Sequence, residues 1–178
     1  DQTEVQRLLE RACTLGHPDG CLRAGNRWAQ GIGVEEASKK EAVPRWERAC
    51  AGGVARGCAA LGLNLVLGLE VSEEPERGRK LLLRACNASD AAACKDLGGL
   101  HLAELLPDSD PSRGAVLLKN ACNLGYGEGC NELAVAHAQG LAELKPHPST
   151  VASLFEKACR LKSTTGCTNF AIALLHGE

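Results

Sequence analysis

Residues 47–62, ERACAGGVARGCAALG, contain two cysteines, Cys50 and Cys58, with seven residues between them. The chain has 10 cysteines, and all of them fall into pairs with this same spacing. The pairs are Cys13 and Cys21, Cys50 and Cys58, Cys86 and Cys94, Cys122 and Cys130, and Cys159 and Cys167. Successive first cysteines lie 37, 36, 36 and 37 residues apart. Because this period is typical of helical repeat proteins, the stretch is one copy of five.

The residues around the cysteines predict two helices in each copy. After each second cysteine, a mostly apolar residue at the third position and a small one at the fourth give the rhythm of an amphipathic helix. A bulky apolar residue stands four positions before each first cysteine: Leu9, Trp46, Leu82, Leu118 and Phe155. Gly16, Gly53 and Gly125 supply the left-handed position that often ends a helix. Asp110 before Pro111 predicts the N-cap of a later helix.

Each cysteine pair therefore lies across a tight turn between two antiparallel helices. Such a crossing brings the two Cα atoms to roughly 5 to 6 Å, the separation that a disulfide needs. Structural zinc would favour shorter C-x2-4-C spacing with histidine ligands, and thioredoxin-like redox chemistry would need C-x-x-C in a βαβ setting. The sequence has neither pattern, so we predict disulfides, no metal and no cofactor.

These disulfides are expected to support a core that is poor in large side chains. Aromatic residues make up 3% of the chain and methionine is absent, so Leu, Ala and Val must form the core. Closing each short loop removes about 2 to 3 kcal/mol of denatured-state entropy. Five loops together would contribute about 10 kcal/mol, which is comparable to the net stability of a whole domain.

Several motifs resemble the Sel1-like repeat, a relative of the tetratricopeptide repeat. Leu61 and Gly62 match its L-G pair, Gly31 to Val34 match G-x-G-V, and Glu41 through Trp46 to Ala49 match its K-A-x-x-W-x-x-K-A pattern. The cysteine pairs resemble the disulfide-rich branch typified by the Helicobacter cysteine-rich proteins. The resemblance implies an all-α, right-handed α/α solenoid of about five disulfide-stapled helix pairs. We expect one domain over residues 1–178, with repeats at about 4–40, 41–77, 78–113, 114–150 and 151–178.

One position departs from the family, which places tyrosine there as packing. It is occupied here by Trp28, Leu65, His101, His137 and Leu174. His101 and His137 lie 36 residues apart and are expected on adjacent second helices. By loose resemblance to an assembly factor of the mitochondrial intermembrane space, they suggest a haem or metal site. We favour packing for both.

Catalysis has little support in the sequence. Some members of the cysteine-rich branch are described as penicillin-binding proteins or weak β-lactamases, which this resemblance extends to the chain as an alternative function. The serine β-lactamase motifs S-x-x-K, S-D-N and K-T-G are absent, as are G-x-S-x-G, H-E-x-x-H and a P-loop. The carboxylates Glu73, Glu74, Asp108 and Asp110 lie in linkers and are interpreted as solubilising or capping groups. We therefore predict no catalytic residue.

A binding role follows from the repeat architecture. Stacked helix pairs form an extended groove, and in tetratricopeptide geometry the second helix of each pair lines it. The predicted groove residues are Asn26, Leu63, Val66, Lys95, Leu102, Asn131 and Val135. They are expected to bind a protein, an extended peptide or an envelope glycan fragment. For Leu63 and Val66, packing between repeats is an equally good interpretation.

Charge and cysteine content limit the other partners and the compartment. The net charge is −2 and basic residues are mixed with acidic ones, so nucleic acid is not expected as a partner. No segment predicts membrane insertion. Five disulfides indicate an oxidising compartment, either secreted or periplasmic, or less favourably the mitochondrial intermembrane space. We expect a monomer, and the start at Asp1 without methionine indicates a processed or excised segment.

Overall fold

A computed structural model describes residues 1–175 of the chain, and over this range it is helical without strands. Ten α-helices follow one another, with one 3-10 helix, Leu141–Glu143, between the eighth and the ninth. They are α1 (Gln2–Thr14), α2 (Pro18–Gln30), α3 (Lys39–Ala51), α4 (Ala55–Leu67), α5 (Pro75–Asn87), α6 (Ala91–Leu102), α7 (Pro111–Asn123), α8 (Gly127–Ala138), α9 (Pro148–Arg160) and α10 (Thr164–Leu175). The predicted all-α fold of helix-pair repeats is confirmed.

The chain divides into two compact units, residues 1–88 and 89–178. Unit 1 contains α1 to α5 and unit 2 contains α6 to α10. Inside each unit every helix packs against the next helix along the chain. That residues 1–178 form a single domain with the expected repeat bounds stays a prediction.

An alanine and a glycine hold the two helices of a hairpin close together. A Cβ atom added to Gly57 would lie 2.6 Å from the Cβ of Ala49, and one added to Gly129 would lie 2.6 Å from the Cβ of Ala121. No side chain fits at these glycines, each of which directly precedes a second cysteine.

All ten cysteines are disulfide-bonded, as predicted. In the four hairpins α1–α2, α3–α4, α7–α8 and α9–α10, the bonded Cα atoms lie 4.2 to 4.5 Å apart. These distances are shorter than the expected 5 to 6 Å because the alanine–glycine contact brings the backbones together.

Pairs of glycines let one hairpin approach the next within each unit. In unit 1, a Cβ added to Gly62 would lie 2.8 Å from the carbonyl oxygen of Gly78. In unit 2, a Cβ added to Gly98 would lie 2.9 Å from the carbonyl oxygen of Gly114. Gly62 and Gly98 stand at the fourth position after a second cysteine, where the repeat pattern has a small residue. The structure adds their glycine partners on the following helix.

The helix ends agree with the predicted signals and add two exceptions. Gly16, Gly53 and Gly125 have φ angles of 87°, 88° and 85°. Ser89 and Lys162 occupy the same repeat position with φ angles of 63° and 67°, although neither is glycine. The carboxylate of Asp110 accepts the backbone N–H of Arg113 at 3.1 Å, which confirms the predicted N-cap.

The buried side chains are mainly those that the repeat pattern marks as apolar. In unit 1, Trp46 packs with Ala42, Leu61 and Leu65. In unit 2, Leu118 packs with Ala115 and Leu133, and a second cluster holds Phe155, Val151, Ala134 and Ala173. Among residues 1–175, no helix is long and apolar enough to cross a membrane.

Candidate functional site

The predicted groove residues of unit 1 serve mainly in packing. Asn26 is half-buried, and its Oδ1 atom accepts the indole N–H of Trp46 at 2.9 Å. Val66 is 4% exposed, and a Cβ added to Gly78 would lie 2.6 Å from its Cγ2 atom. Leu63 is half-buried. The structure therefore places Val66 between α4 and α5 rather than on an open surface.

The groove residues of unit 2 lie on a face shared by three second helices, because α8 contacts both α6 and α10. Lys95, in the first half of α6, lies beside two carboxylate side chains. Its Nζ atom lies 2.7 Å from Oδ1 of Asp96 and 3.5 Å from Oε1 of Glu132 on α8. We call Lys95, Asp96 and Glu132 the charge cluster.

Partial burial and neighbouring charges shift the pKa values of Glu132 and Lys95 in the charge cluster. Burial of Glu132 raises the pKa of its carboxyl group, and the charges of Asp96 and Glu128 act in the same direction, whereas Lys95 opposes them. Burial lowers the pKa of Lys95, but its hydrogen bond to Asp96 and the nearby carboxylates outweigh burial and leave that pKa raised. Two carboxylates thus lie against the ammonium group of Lys95, and Glu128 adds a further negative charge near Glu132.

The repeat pattern identified Lys95 as a groove residue but not Asp96 or Glu132. Both occupy the second position after a second cysteine, and the predicted face used the first, fifth and eighth positions. Successive helical residues are only about 100° apart, so the second position borders the same face. The repeats themselves indicate that this position is polar. Four of the five residues there are charged or amide-bearing, namely Arg23, Asp96, Glu132 and Asn169, and the fifth is Ala60.

Amide side chains extend the polar face from α8 to α10. Asn169 donates its side-chain N–H to Oδ1 of Asn131 at 2.8 Å. Asn131 is half-buried, and its own amide nitrogen makes no hydrogen bond within the described part of the chain. That nitrogen remains available as a donor.

Next to the charge cluster, the predicted groove residues Leu102 and Val135 come together in a cleft of about 290 Å³. Gly99 and Leu141 complete its apolar wall, and Glu132 borders it. A Cβ added to Gly99 would lie 3.3 Å from Oε2 of Glu132, so the carboxylate reaches across to α6. The cleft therefore places an apolar pocket beside a carboxylate.

The two candidate histidines have different environments. His101 is 1% exposed, and its Nδ1 atom accepts the backbone N–H of Asp110 at 3.1 Å. His137 is half-buried, and its buried Nδ1 atom has no hydrogen-bond partner within residues 1–175. Over the same range, no group of three or more side chains is placed to hold a metal ion. His101 is thus tied into packing, as the sequence analysis favoured.

No protein-family model and no curated protein matches the chain. Solved structures do match it. A protective antigen of uropathogenic Escherichia coli strains with an SLR fold superposes with a TM-score of 0.80 at 17% identity, over 96% of this chain and 36% of that protein. A Sel1 repeat protein from Oxalobacter formigenes also gives 0.80 at 17% identity, over 93% of this chain and 67% of that one.

The chain is also similar to cysteine-rich protein B of Helicobacter pylori. The TM-score is 0.56 at 24% identity, over 75% of this chain and 97% of that protein. Its cysteine-rich name agrees with the five disulfides found here. The resemblance inferred from the sequence is confirmed at the level of the fold: the chain has the helix-pair fold of the Sel1 repeat proteins.

Proposed function

We propose that the chain is a protein-binding scaffold whose α6–α8–α10 face takes an extended peptide segment containing a basic residue. The observation that carries this proposal is the charge cluster of Lys95, Asp96 and Glu132 beside the apolar cleft. Repeat folds of this kind commonly bind peptides and proteins along the surface of stacked helices.

Charge favours a cationic partner at this face. The carboxylates of Asp96 and Glu132 both lie near the ammonium group of Lys95, and Glu128 lies near Glu132. One positive charge therefore does not neutralise all of the negative charge at this face. A lysine or arginine side chain of a partner would supply the missing positive charge. Complementary charge of this kind increases the association rate and selects against acidic partners.

The neighbouring groups fit the rest of a peptide. The cleft formed by Leu102, Val135 and Leu141 is large enough for one apolar side chain. The unpaired amide nitrogen of Asn131 is a donor for a peptide carbonyl. An extended peptide with an apolar residue near its basic residue would satisfy all three features, whereas an envelope glycan fragment would leave the cationic requirement unmet.

The proposed compartment is secreted or periplasmic. Five disulfides are consistent with an oxidising environment. We propose a binding protein rather than an enzyme, and a monomer. The alternative of β-lactam hydrolysis predicts turnover of nitrocefin by the purified oxidised protein.

The binding proposal is tested with short fluorescent peptides that contain Leu near Arg, compared with versions in which Arg is Glu or Leu is Ser. Anisotropy should show tighter binding of the Leu and Arg peptide. Glu132→Gln should weaken that binding about fivefold, because an exposed ion pair is worth up to about 1 kcal/mol. Affinity should also rise as the pH increases through the raised pKa of Glu132, since only the charged carboxylate attracts the cation.

Glu156→Gln is the matched control, because Glu156 lies on α9 in an exposed pair with Arg160. It should leave peptide binding unchanged. Equal affinity for the Arg and Glu peptides, or equal loss in the two variants, would contradict the proposal.

A further inference from the structure

The connection between α8 and α9 is built differently from the connection between α6 and α7. Both start after a histidine at the same repeat position. In the α6–α7 connection, His101 accepts the backbone N–H of Asp110, and Leu106 is 5% exposed. In the α8–α9 connection, the Nδ1 atom of His137 has no partner within residues 1–175. The second connection therefore lacks the contact that closes the first.

The residue that fills the first connection is missing from the second. Leu106 stands twelve residues after Cys94, and the residue twelve after Cys130 is Ala142. Ala142 and Glu143 have φ angles of 56° and 59°, in the left-handed region that other residues than glycine rarely occupy. The smaller side chain and the different backbone path leave space beneath the connection.

That space is a cavity of about 600 Å³ bounded by α7, α8, α9 and the connection itself. Its apolar wall includes Ala115, Leu133, Leu144 and Leu154, which belong to one packed cluster. The volume falls within the range of small-molecule pockets, which are largely apolar with a few polar groups. The cavity is separate from the α6–α8 cleft described above.

Two lysines give the cavity its charge. Lys119 on α7 and Lys157 on α9 both line it, and no carboxylate does. Neither lysine forms an ion pair with any residue from 1 to 175. The imidazole of His137 adds a polar group to a wall that contains no aromatic ring apart from it. The cavity thus combines an aliphatic interior with uncompensated positive charge.

We infer that this cavity binds a small amphiphilic anion, namely an aliphatic carboxylate, with its chain against the leucines and its carboxylate between Lys119 and Lys157. The aliphatic wall favours an alkyl chain, and the two unpaired ammonium groups favour an anionic head. This site does not depend on the peptide-binding proposal, because it uses other residues and takes ligands of opposite charge.

Amide NMR spectra of the oxidised protein test the inference with decanoate, decyltrimethylammonium and acetate as probes. Decanoate should bind saturably and shift signals of residues 112–123 and 137–157. Decyltrimethylammonium, which has the same chain and the opposite charge, and acetate, which lacks the chain, should bind at least tenfold more weakly. Equal binding of the two decyl probes, absence of saturable decanoate binding, or shifts confined to the α6–α8 cleft would overturn the inference.

Substitutions separate the contribution of charge from that of shape. The double variant Lys119→Gln with Lys157→Gln should weaken decanoate binding about tenfold. Lys145→Gln is the control, because Lys145 lies in the α8–α9 connection but outside the cavity, and it should leave binding unchanged. Ala142→Leu gives the α8–α9 connection the leucine that the α6–α7 connection has at Leu106, and this larger side chain should block the cavity. The lysine variants keep the inference testable if Ala142→Leu disturbs folding, and unchanged affinity in the double variant would overturn it.

Discussion

The α6–α7 and α8–α9 connections begin from the same repeat position and reach different structures. The first spans residues 103–110 and is closed by His101 and a buried Leu106. The second spans residues 139–147, is one residue longer, contains the 3-10 helix and leaves His137 without a partner for Nδ1 within the described residues.

The difference shows how changes in a connection, and in the helices beside it, leave space within a repeat. Gly98 and Gly114 bring α6 and α7 close together, whereas Ala134 and Val151 occupy the corresponding positions of α8 and α9. The second connection is also one residue longer and has Ala142 where the first has Leu106. Buried side chains close the first connection, and the second leaves the cavity in which we propose a ligand site.

The largest expected effect comes from reducing the disulfides that staple the hairpins. Reduction of all five disulfides should lower the free energy of unfolding by about 10 kcal/mol, because the denatured chain regains the entropy of five closed loops. Thermal melts followed by circular dichroism, with and without reductant, measure the change. We expect the reduced protein to be largely unfolded, so that the difference between the connections disappears. A transition at the same temperature in both melts would show that packing, and not the disulfides, supports the hairpins.

A smaller effect should separate the two histidines. His101→Ala should lower the free energy of unfolding by about 2 to 4 kcal/mol, because it opens a cavity at a buried side chain and leaves the backbone N–H of Asp110 without its acceptor. His137→Ala should cost less than about 1 kcal/mol, since Nδ1 of His137 makes no hydrogen bond within residues 1–175. Urea unfolding of the oxidised proteins measures both. Equal losses would mean that the two connections contribute alike to stability.

The smallest expected effect comes from alanine-to-glycine substitutions, which should stabilise one connection and destabilise the other. Ala142→Gly should raise the free energy of unfolding by about 1 kcal/mol, because φ at this residue is 56° and glycine tolerates that conformation. Ala103→Gly, at the C-cap of α6 with φ of −83°, should instead lower it by up to about 1 kcal/mol through added freedom of the unfolded chain. The same unfolding measurement compares them. A gain at Ala103, or a loss at Ala142, would refute this account of the backbone.

The repeat pattern predicted the hairpins because their contacts are local. A cysteine pair, its preceding alanine and the turn glycines lie within ten residues of each other, so the chemistry of one stretch is enough to identify the pairing. The groove was harder to predict. Val66 lies on the predicted face of α4 but is covered by α5 at Gly78, a contact that its own helix does not encode. Glu132 was missed because its pairing with Lys95 depends on how α6 and α8 lie side by side. Asp96 is the neighbour of Lys95 on α6 and was missed because it lies just outside the predicted face.

The helical repeats, the disulfide pairs and the apolar positions of the core follow from spacing within one hairpin, so they could be predicted from the residues alone. Which polar side chains meet, and where space remains, depends on how the helices pack. The tertiary structure brought Glu132 to Lys95, tied His101 to Asp110 and left a cavity above His137. The physical reason is that charge pairing and cavity volume depend on the positions of neighbouring helices and on the path of the connections, which no single repeat specifies.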